Sequence, residues 1–400
     1  MNLAITKKIV QYHFCNETHK KSDFDPLSSN KVSVRPKLPS ITGSRFWAAL
    51  LVFLFHSSLP SDLAPFADPT VEHIFTVTVA KAGWLGVSFF FILSGFIMVW
   101  SAKESDTVGN FYLRRFAKIY PTHFLTWIVA FIIGAISITQ YKLWLSNLLL
   151  INTWFNDVHY FFVANRPSWS LCVEAIFYLC FPFLYKLTNA ISKKHNLLAL
   201  LIVILLAFIF QIYTYLQVEP NQMMRAFPIS QNHFWISYIF PPSHIFEFLA
   251  GMYAARMLIS GKTIMLAKSV SLALLAIVYI CSMYVPFQFS MSVIFIIPVC
   301  LLITSLAGDD LKMKKTIFNS QTSVWLGEIS YAFYMVHFLV LFYFLNLTNG
   351  NKYNLAEGTG LIVISLILTI SCSAFLYKYF EVPMMKIILS RFRRTIAKSA

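Results

Sequence analysis

Arg45 and His56 stand eleven residues apart in GSRFWAALLVFLFHSS, a run whose other members are mostly apolar. An α-helix separates such positions by about 16 Å and returns them to within about 20° of each other around its axis. They therefore share one face at different depths. An imidazole there can exchange a proton or hold a hydrogen bond, and a guanidinium can hold an anion. Ionisable groups inside apolar spans ordinarily face a bundle interior or a water-filled path. Two plainer readings stand beside this one: Arg45 snorkelling to the headgroups, and His56 satisfied by a structural hydrogen bond.

A second set of cations, Arg114, Arg115 and Lys118, lies in FYLRRFAKIYPTHF. Arg115 and Lys118 share a helical face and can hold phosphate groups, although anionic-lipid contact and topology signals account for the same residues. NRPSWSLCVEAIFY places Arg166 just outside the bilayer, Ser168 as an N-cap, Trp169 as an interface anchor and Glu174 about two turns into a span. A carboxylate is costly in lipid unless paired, so Glu174 is expected to face the cavity of His56 or to pair with Arg166. LGEISYAFYMVHF adds Glu328, Tyr331, Tyr334 and His337, the two tyrosines facing nearly the same way. His244 and Glu247 form another i, i+3 pair, but these separate pairs carry no zinc signature and no metal is expected. Gly83, Gly86 and Gly95, with Ser88 and Ser94, permit close approach of neighbouring helices. GxxxxGK, GxGxxG and GxSxG are all absent, which removes support for ATPase and serine-hydrolase chemistry.

The elements that position these residues must be membrane helices. The 400 residues are 58% hydrophobic and 12% charged with mean hydropathy +0.65, whereas soluble domains carry about a quarter charged residues. Apolar runs predict an all-α polytopic bundle of about ten transmembrane helices, near 45–60, 80–100, 120–139, 168–188, 197–216, 241–258, 267–286, 289–307, 324–346 and 358–380. The net charge of +15 lies mostly in clusters that fall on one side of such a bundle, as cytoplasmic loops require, with both termini cytoplasmic and no nucleic-acid partner implied. The run Tyr141–Ile151 is too short to cross about 30 Å and is expected as an interfacial or re-entrant helix. Residues 1–43 read as a loose cytoplasmic tail, with a short interfacial helix near Ile5 to Phe14 and no signal peptide. Residues 384–400 read as a basic cytoplasmic tail. The six cysteines have no paired spacing, so neither a disulfide framework nor a zinc site is indicated.

Arg45 with His56, FFFILSGF, YLRRFAKIYP, PSWSLCVEAIFY, FEFLAGM and LGEISYAFYMVH, in this order, resemble the integral-membrane acyltransferase family 3, which includes O-antigen and exopolysaccharide O-acetyltransferases. The resemblance covers residues 44–383. It implies transfer of an acyl group, commonly acetyl from acetyl-CoA, to a hydroxyl of a cell-surface or lipid-linked glycan, in a multi-pass protein of the bacterial cytoplasmic membrane. By similarity, Arg45 and His56 match the family's essential pair, Arg114 and Arg115 its arginine pair, and Ser168, Trp169 and Glu174 its SWSL segment with the following glutamate. His337 matches the histidine that closes SYxxYxxH. On this reading His56 is the base, with Glu174 orienting it, and Arg45, Arg114, Arg115 and Lys118 hold the phosphates of acyl-CoA. Arg166, Ser168, Trp169, Tyr331, Tyr334 and His337 serve the substrate or the structure. Lys118 stands where many relatives carry arginine, which loses a bidentate fork. The short segment after Pro383 leaves no room for the extracytoplasmic hydrolase-like domain of some relatives. A glycan transporter or exporter without acyl transfer is the alternative, although neither inverted repeats nor discontinuous helices are evident.

Overall fold

A computed structural model describes residues 35–59, 63–103 and 106–399, with side chains as far as Phe392. The expected tail and its interfacial helix near Ile5 to Phe14 lie outside the described residues. Helices carry the chain: α1 (Pro39–Ser57), α2 (Pro69–Val79), α3 (Ala82–Ser101), α4 (Val108–Ile132), α5 (Tyr141–Leu148), α6 (Val158–Phe161), α7 (Trp169–Ala190) and α8 (Asn196–Gln217). They continue as α9 (Gln231–Phe234), α10 (Ile245–Ile259), α11 (Lys268–Cys281), α12 (Ile296–Leu311), α13 (Gln321–Glu328), α14 (Ser330–Leu347), α15 (Leu355–Leu376) and α16 (Val382–Ser399). Two π-helical turns, Trp235–Ile239 and Tyr377–Glu381, interrupt the α geometry, and extended pairing among the described residues is confined to isolated bridges.

Local chemistry sets several of these boundaries. Asp68 accepts from the amides of Thr70 and Val71 ahead of Pro69, a residue pre-set for the first helical turn, so α2 starts there. Thr107 accepts from the amide of Asn110 at the start of α4, and Asn354 and Glu357 form a reciprocal capping box that opens α15.

Helix α3 is buried along most of its length and forms the centre of the bundle, with α1, α10 and α12 packed against it. Its glycines make that packing close. A Cβ on Gly86 would stand 2.6 Å from the Ala48 carbonyl oxygen, and one on Gly95 2.0 Å from that of Phe248. The facing Gly251 of α10 is equally committed, its Cβ position lying 1.8 Å from the Ile92 oxygen.

Among the described residues six helical stretches are long and apolar enough to cross a membrane: Pro69–Ser101, Arg166–Ala190, Lys193–Gln217, Val293–Leu311, Ser330–Leu347 and Leu355–Phe392. Each overlaps one of the ten expected spans. The other four expected spans fall on α1, α4, α10 and α11, and the reason is physical. Helix α1 carries Arg45 and His56, α4 begins with Arg114, Arg115 and Lys118, and α10 and α11 have only 15 and 14 residues. Helix α5, at 8 residues, covers about 12 Å and is too short to span. The region expected as a basic tail is helical, α16 following directly from the π turn after α15.

Candidate active site

The two polar positions of α1 open into two different cavities. The first, of about 260 Å³, is lined by Arg45, Arg115, Lys118, Glu174 and Tyr331 and lies toward the N-terminal ends of α1 and α4. The second, of about 640 Å³, is lined by His56, Arg166, Trp169 and Phe338 and lies toward the C-terminal end of α1. Val87 and Tyr334 line both. The helical rise of about 16 Å between Arg45 and His56 thus separates two chambers that share a wall.

Helix α7 and the 3₁₀ turn that leads into it, Arg166–Ser168, divide their residues between the two cavities. Ser170, Glu174 and Tyr178, spaced by four, line the first cavity, whereas Arg166 and Trp169 line the second. Glu174 therefore does not share the cavity of His56, contrary to the expectation from its depth in the span. Its carboxylate accepts from the Tyr178 hydroxyl at 3.0 Å and feels the positive charges of Arg45, Arg115 and Lys118. Arg166 faces the other cavity, its guanidinium 5.1 Å from the Phe338 ring. Pairing of Arg166 with Glu174 is replaced by these separate placements.

The four expected phosphate ligands also divide. The Arg45 guanidinium makes no hydrogen bond or ion pair with a described residue, and the buried Nε of Arg115 has no hydrogen-bond partner among them. Arg115 lies over Phe111 and Tyr178, 5.4 and 5.7 Å from their ring centroids, which aligns its guanidinium along the cavity wall. Lys118 also lines the cavity but is paired with the buried carboxylate of Glu381 on the second π turn. Arg114 is turned out of the cavity onto Asp106, one arm donating at 2.8 Å and the other closing a bidentate pair. That hydrogen bond holds the Asp106 carboxyl below the usual carboxylate range. Arg114 and Arg115 are neighbours in sequence, and the 100° step of the helix sends them to different surroundings.

His56 meets a second histidine across the bundle. Its Nδ1 lies 3.0 Å from Nε2 of His337 and 3.0 Å from the Val52 carbonyl oxygen, while Nδ1 of His337 lies 2.7 Å from the Tyr334 carbonyl oxygen. Carbonyl oxygens only accept, so the hydrogen-bond network assigns a proton to Nδ1 of both neutral rings. Nε2 of His337 then accepts from His56, and Nε2 of His56 keeps its lone pair. His337 is fully buried, whereas His56 lines the second cavity.

The remaining expected residues hold this arrangement together. Ser168 occupies the N-cap position of α7, but its hydroxyl donates to the Asn165 carbonyl at 2.6 Å and accepts from the Asn147 amide at 2.7 Å. It does not cap the helix through its side chain. Asn165 donates in turn to the Met335 carbonyl at 2.8 Å, tying the entry to α7 to the turn of α14 that carries His337. Trp169 is buried against Phe91, Tyr238 and His244 and is not an interface anchor. Tyr331 donates to the Ile119 carbonyl at 2.8 Å, and the Tyr334 hydroxyl meets that of Ser170 at 2.9 Å. His244 bonds to Glu247 and to the Tyr238 carbonyl within the core. Among the described residues no three His, Cys, Asp or Glu side chains stand together as a metal site. Exposed Glu328 lines neither cavity.

The sequence alone does not single out Tyr178, Ser170 or Glu381. Tyr178 and Ser170 lie four residues either side of Glu174, a spacing that names them once Glu174 is chosen. Glu381 lies 263 residues from Lys118 and carries no local signal.

Comparison with known proteins gives this geometry a chemistry. The model of a family described as an acyltransferase domain matches residues 38–378. The acyltransferase MdmB of Streptomyces mycarofaciens is 34% identical over 370 residues, covering 88% of this chain and 92% of that protein. The peptidoglycan O-acetyltransferase OatA of Listeria monocytogenes is 23% identical over 337 residues, 77% of this chain and 50% of its own length. No solved structure matches the chain. The helices, the paired cavities and this match over most of the length agree, and the chain belongs to the membrane acyltransferase family 3.

Proposed function

We propose that this protein is a membrane O-acyltransferase that moves an acyl group, acetyl in the first instance, from acyl-CoA to a hydroxyl of a cell-surface or lipid-linked glycan. The observation that carries the reading is the pair of cavities meeting at Val87 and Tyr334, with arginines in one and an imidazole bearing a free lone pair in the other. The O-acetyltransferase named among the relatives supports the acetyl group and the glycan. The six long helices support a membrane protein; within the proposal α1, α4, α10 and α11 complete an even number of passes, with both termini on the cytoplasmic side of a bacterial cytoplasmic membrane.

The first cavity fits the donor. The guanidinium groups of Arg45 and Arg115 are available for phosphate oxygens, and charge-assisted hydrogen bonds of this kind are about twice as strong as neutral ones. The thioester then reaches the shared wall at Tyr334, and the acceptor hydroxyl arrives from the His56 side. Nε2 of His56 takes the hydroxyl proton as the oxygen bonds to the thioester carbon. Collapse of the tetrahedral intermediate breaks the carbon–sulfur bond, and the imidazolium returns the proton to the departing thiolate. His337 orients the base, a role the sequence reading gave to Glu174; Glu174 serves instead the polar wall of the donor cavity.

The test is transfer of isotopic label from acetyl-CoA by purified protein in nanodiscs, with and without an envelope glycan extract. Acceptor-stimulated transfer supports the reading. Folded protein that transfers from none of acetyl-, propionyl- or longer acyl-CoA, yet moves glycan across the bilayer, overturns it in favour of export.

A further inference from the structure

The second cavity owes one wall to a single short hairpin. The amide of Met224 donates to the Ile229 carbonyl and that of Gln231 to the Gln222 carbonyl, both at 2.9 Å, and the Gln222 side chain bonds to Gln231 at 2.9 Å. This frame drops Phe227 among the rings beside His56. Phe227 stacks on Phe55 with centroids 6.3 Å apart and planes 13° apart, and it meets the edge of Trp84 at 5.2 Å. Met223, Met224 and Arg225 of the same turn line the cavity, and among the described residues no carboxylate does. Met223 is 63% exposed, so this turn also meets whatever approaches from outside.

We infer that the hairpin of residues 222–231 selects the acceptor, and that the molecule it admits presents an apolar face beside its reactive hydroxyl. The inference rests on the acyltransferase reading, since His56 is where the hydroxyl must arrive. Aromatic rings and methionine reward C–H surfaces, so the wall made by Phe55, Trp84, Phe227, Met223 and Met224 takes an apolar face, while Gln140, His159 and Gln231 elsewhere in the lining offer partners to hydroxyls on the other side of the acceptor. Two sources supply such a face: the C–H side of a pyranose ring, or a hydrocarbon aglycone attached to it. Arg225 of the turn accommodates an anionic substituent on the acceptor.

The experiment uses the full chain in nanodiscs with labelled acetyl-CoA and methyl, hexyl and phenyl glucosides, beside an envelope glycan extract. Phe227→Ala is expected to raise the acceptor KM by about tenfold or more, the scale of a lost apolar contact, and to leave the acetyl-CoA KM in place. Phe227→Leu, which keeps most of the volume, recovers part of that loss. A lower KM for the hexyl and phenyl glucosides than for the methyl compound identifies the aglycone as the apolar face; equal values with the Phe227→Ala loss intact identify the sugar ring. An unchanged acceptor KM in Phe227→Ala, or equal shifts in donor and acceptor KM, overturns the inference. Transfer to the extract with none to any glucoside also overturns it. Absence of transfer to the extract as well overturns the acyltransferase reading beneath it.

Discussion

Nε2 of His337 lies 3.0 Å from Nδ1 of His56 across 281 residues of chain, and the Tyr334 carbonyl on its other side fixes which ring nitrogen carries the proton. His337 is therefore a positioning residue whose removal frees the His56 ring to turn or change tautomer. His337→Phe is expected to lower kcat by roughly 10–100-fold, less than loss of the base itself, with the acetyl-CoA KM nearly unchanged. Steady-state kinetics on the labelled-transfer assay separate the two constants. A rise in donor KM with intact kcat would remove His337 from this role.

The adjacent arginines make a paired prediction. Arg115→Ala, like Arg45→Ala, is expected to raise the acetyl-CoA KM by roughly 10–100-fold, the scale of a charge-assisted hydrogen bond. Arg114→Ala should change it by less than about fivefold, because its guanidinium is engaged by Asp106, outside the cavity, at a partly exposed site. Isothermal titration with CoA checks the same order.

The Asp106–Arg114 pair also sets a pH expectation. Arg114 lowers the Asp106 carboxyl, so what the pair contributes to folding is fully present above the usual carboxylate range and disappears as pH falls through the lowered value. The unfolding difference between wild type and Arg114→Ala should therefore be constant from about pH 5 to 8 and shrink only in more acidic buffer. Thermal unfolding across that series measures it; a difference that changes between pH 6 and 8 would contradict the assignment.

Close packing of α3 on α10 predicts sharp sensitivity to one methyl group. Gly95→Ala or Gly251→Ala drives a Cβ into a backbone oxygen at 2.0 or 1.8 Å, which no side-chain rotation relieves. Each should cost about 1–3 kcal/mol and lower the thermal midpoint. At Gly109, where a new Cβ meets nothing within 4 Å, alanine should be neutral or slightly stabilising.

Much of the architecture was legible because hydrophobic length is a local property. Six expected spans reappear as long apolar helices, and α5 is as short as its sequence implied. The other four expected spans fall on helices that are too polar or too short to qualify alone. The face shared by Arg45 and His56 was readable from their spacing, but a shared face does not specify a shared cavity. Only the packing of α3 and α14 against α1 divides the space between them. The same limit explains Glu174, whose depth in α7 was clear and whose cavity was not. Arg114 and Arg115 differ by one helical step, and the loop residue Asp106 decides which of them is engaged. The contact of His56 with His337 depends on two helices meeting, so no window of sequence contains it.

The central claim is that His56 supplies the base while the arginine cavity supplies donor binding. The most direct measurement is single-turnover acetyl transfer alongside the CoA dissociation constant in wild type and His56→Ala, both in nanodiscs. The account predicts a fall in transfer rate of roughly 10²–10⁴-fold with CoA affinity within a few-fold of wild type. Equal losses of rate and affinity, or a His56→Ala variant that still transfers at the wild-type rate, would contradict it.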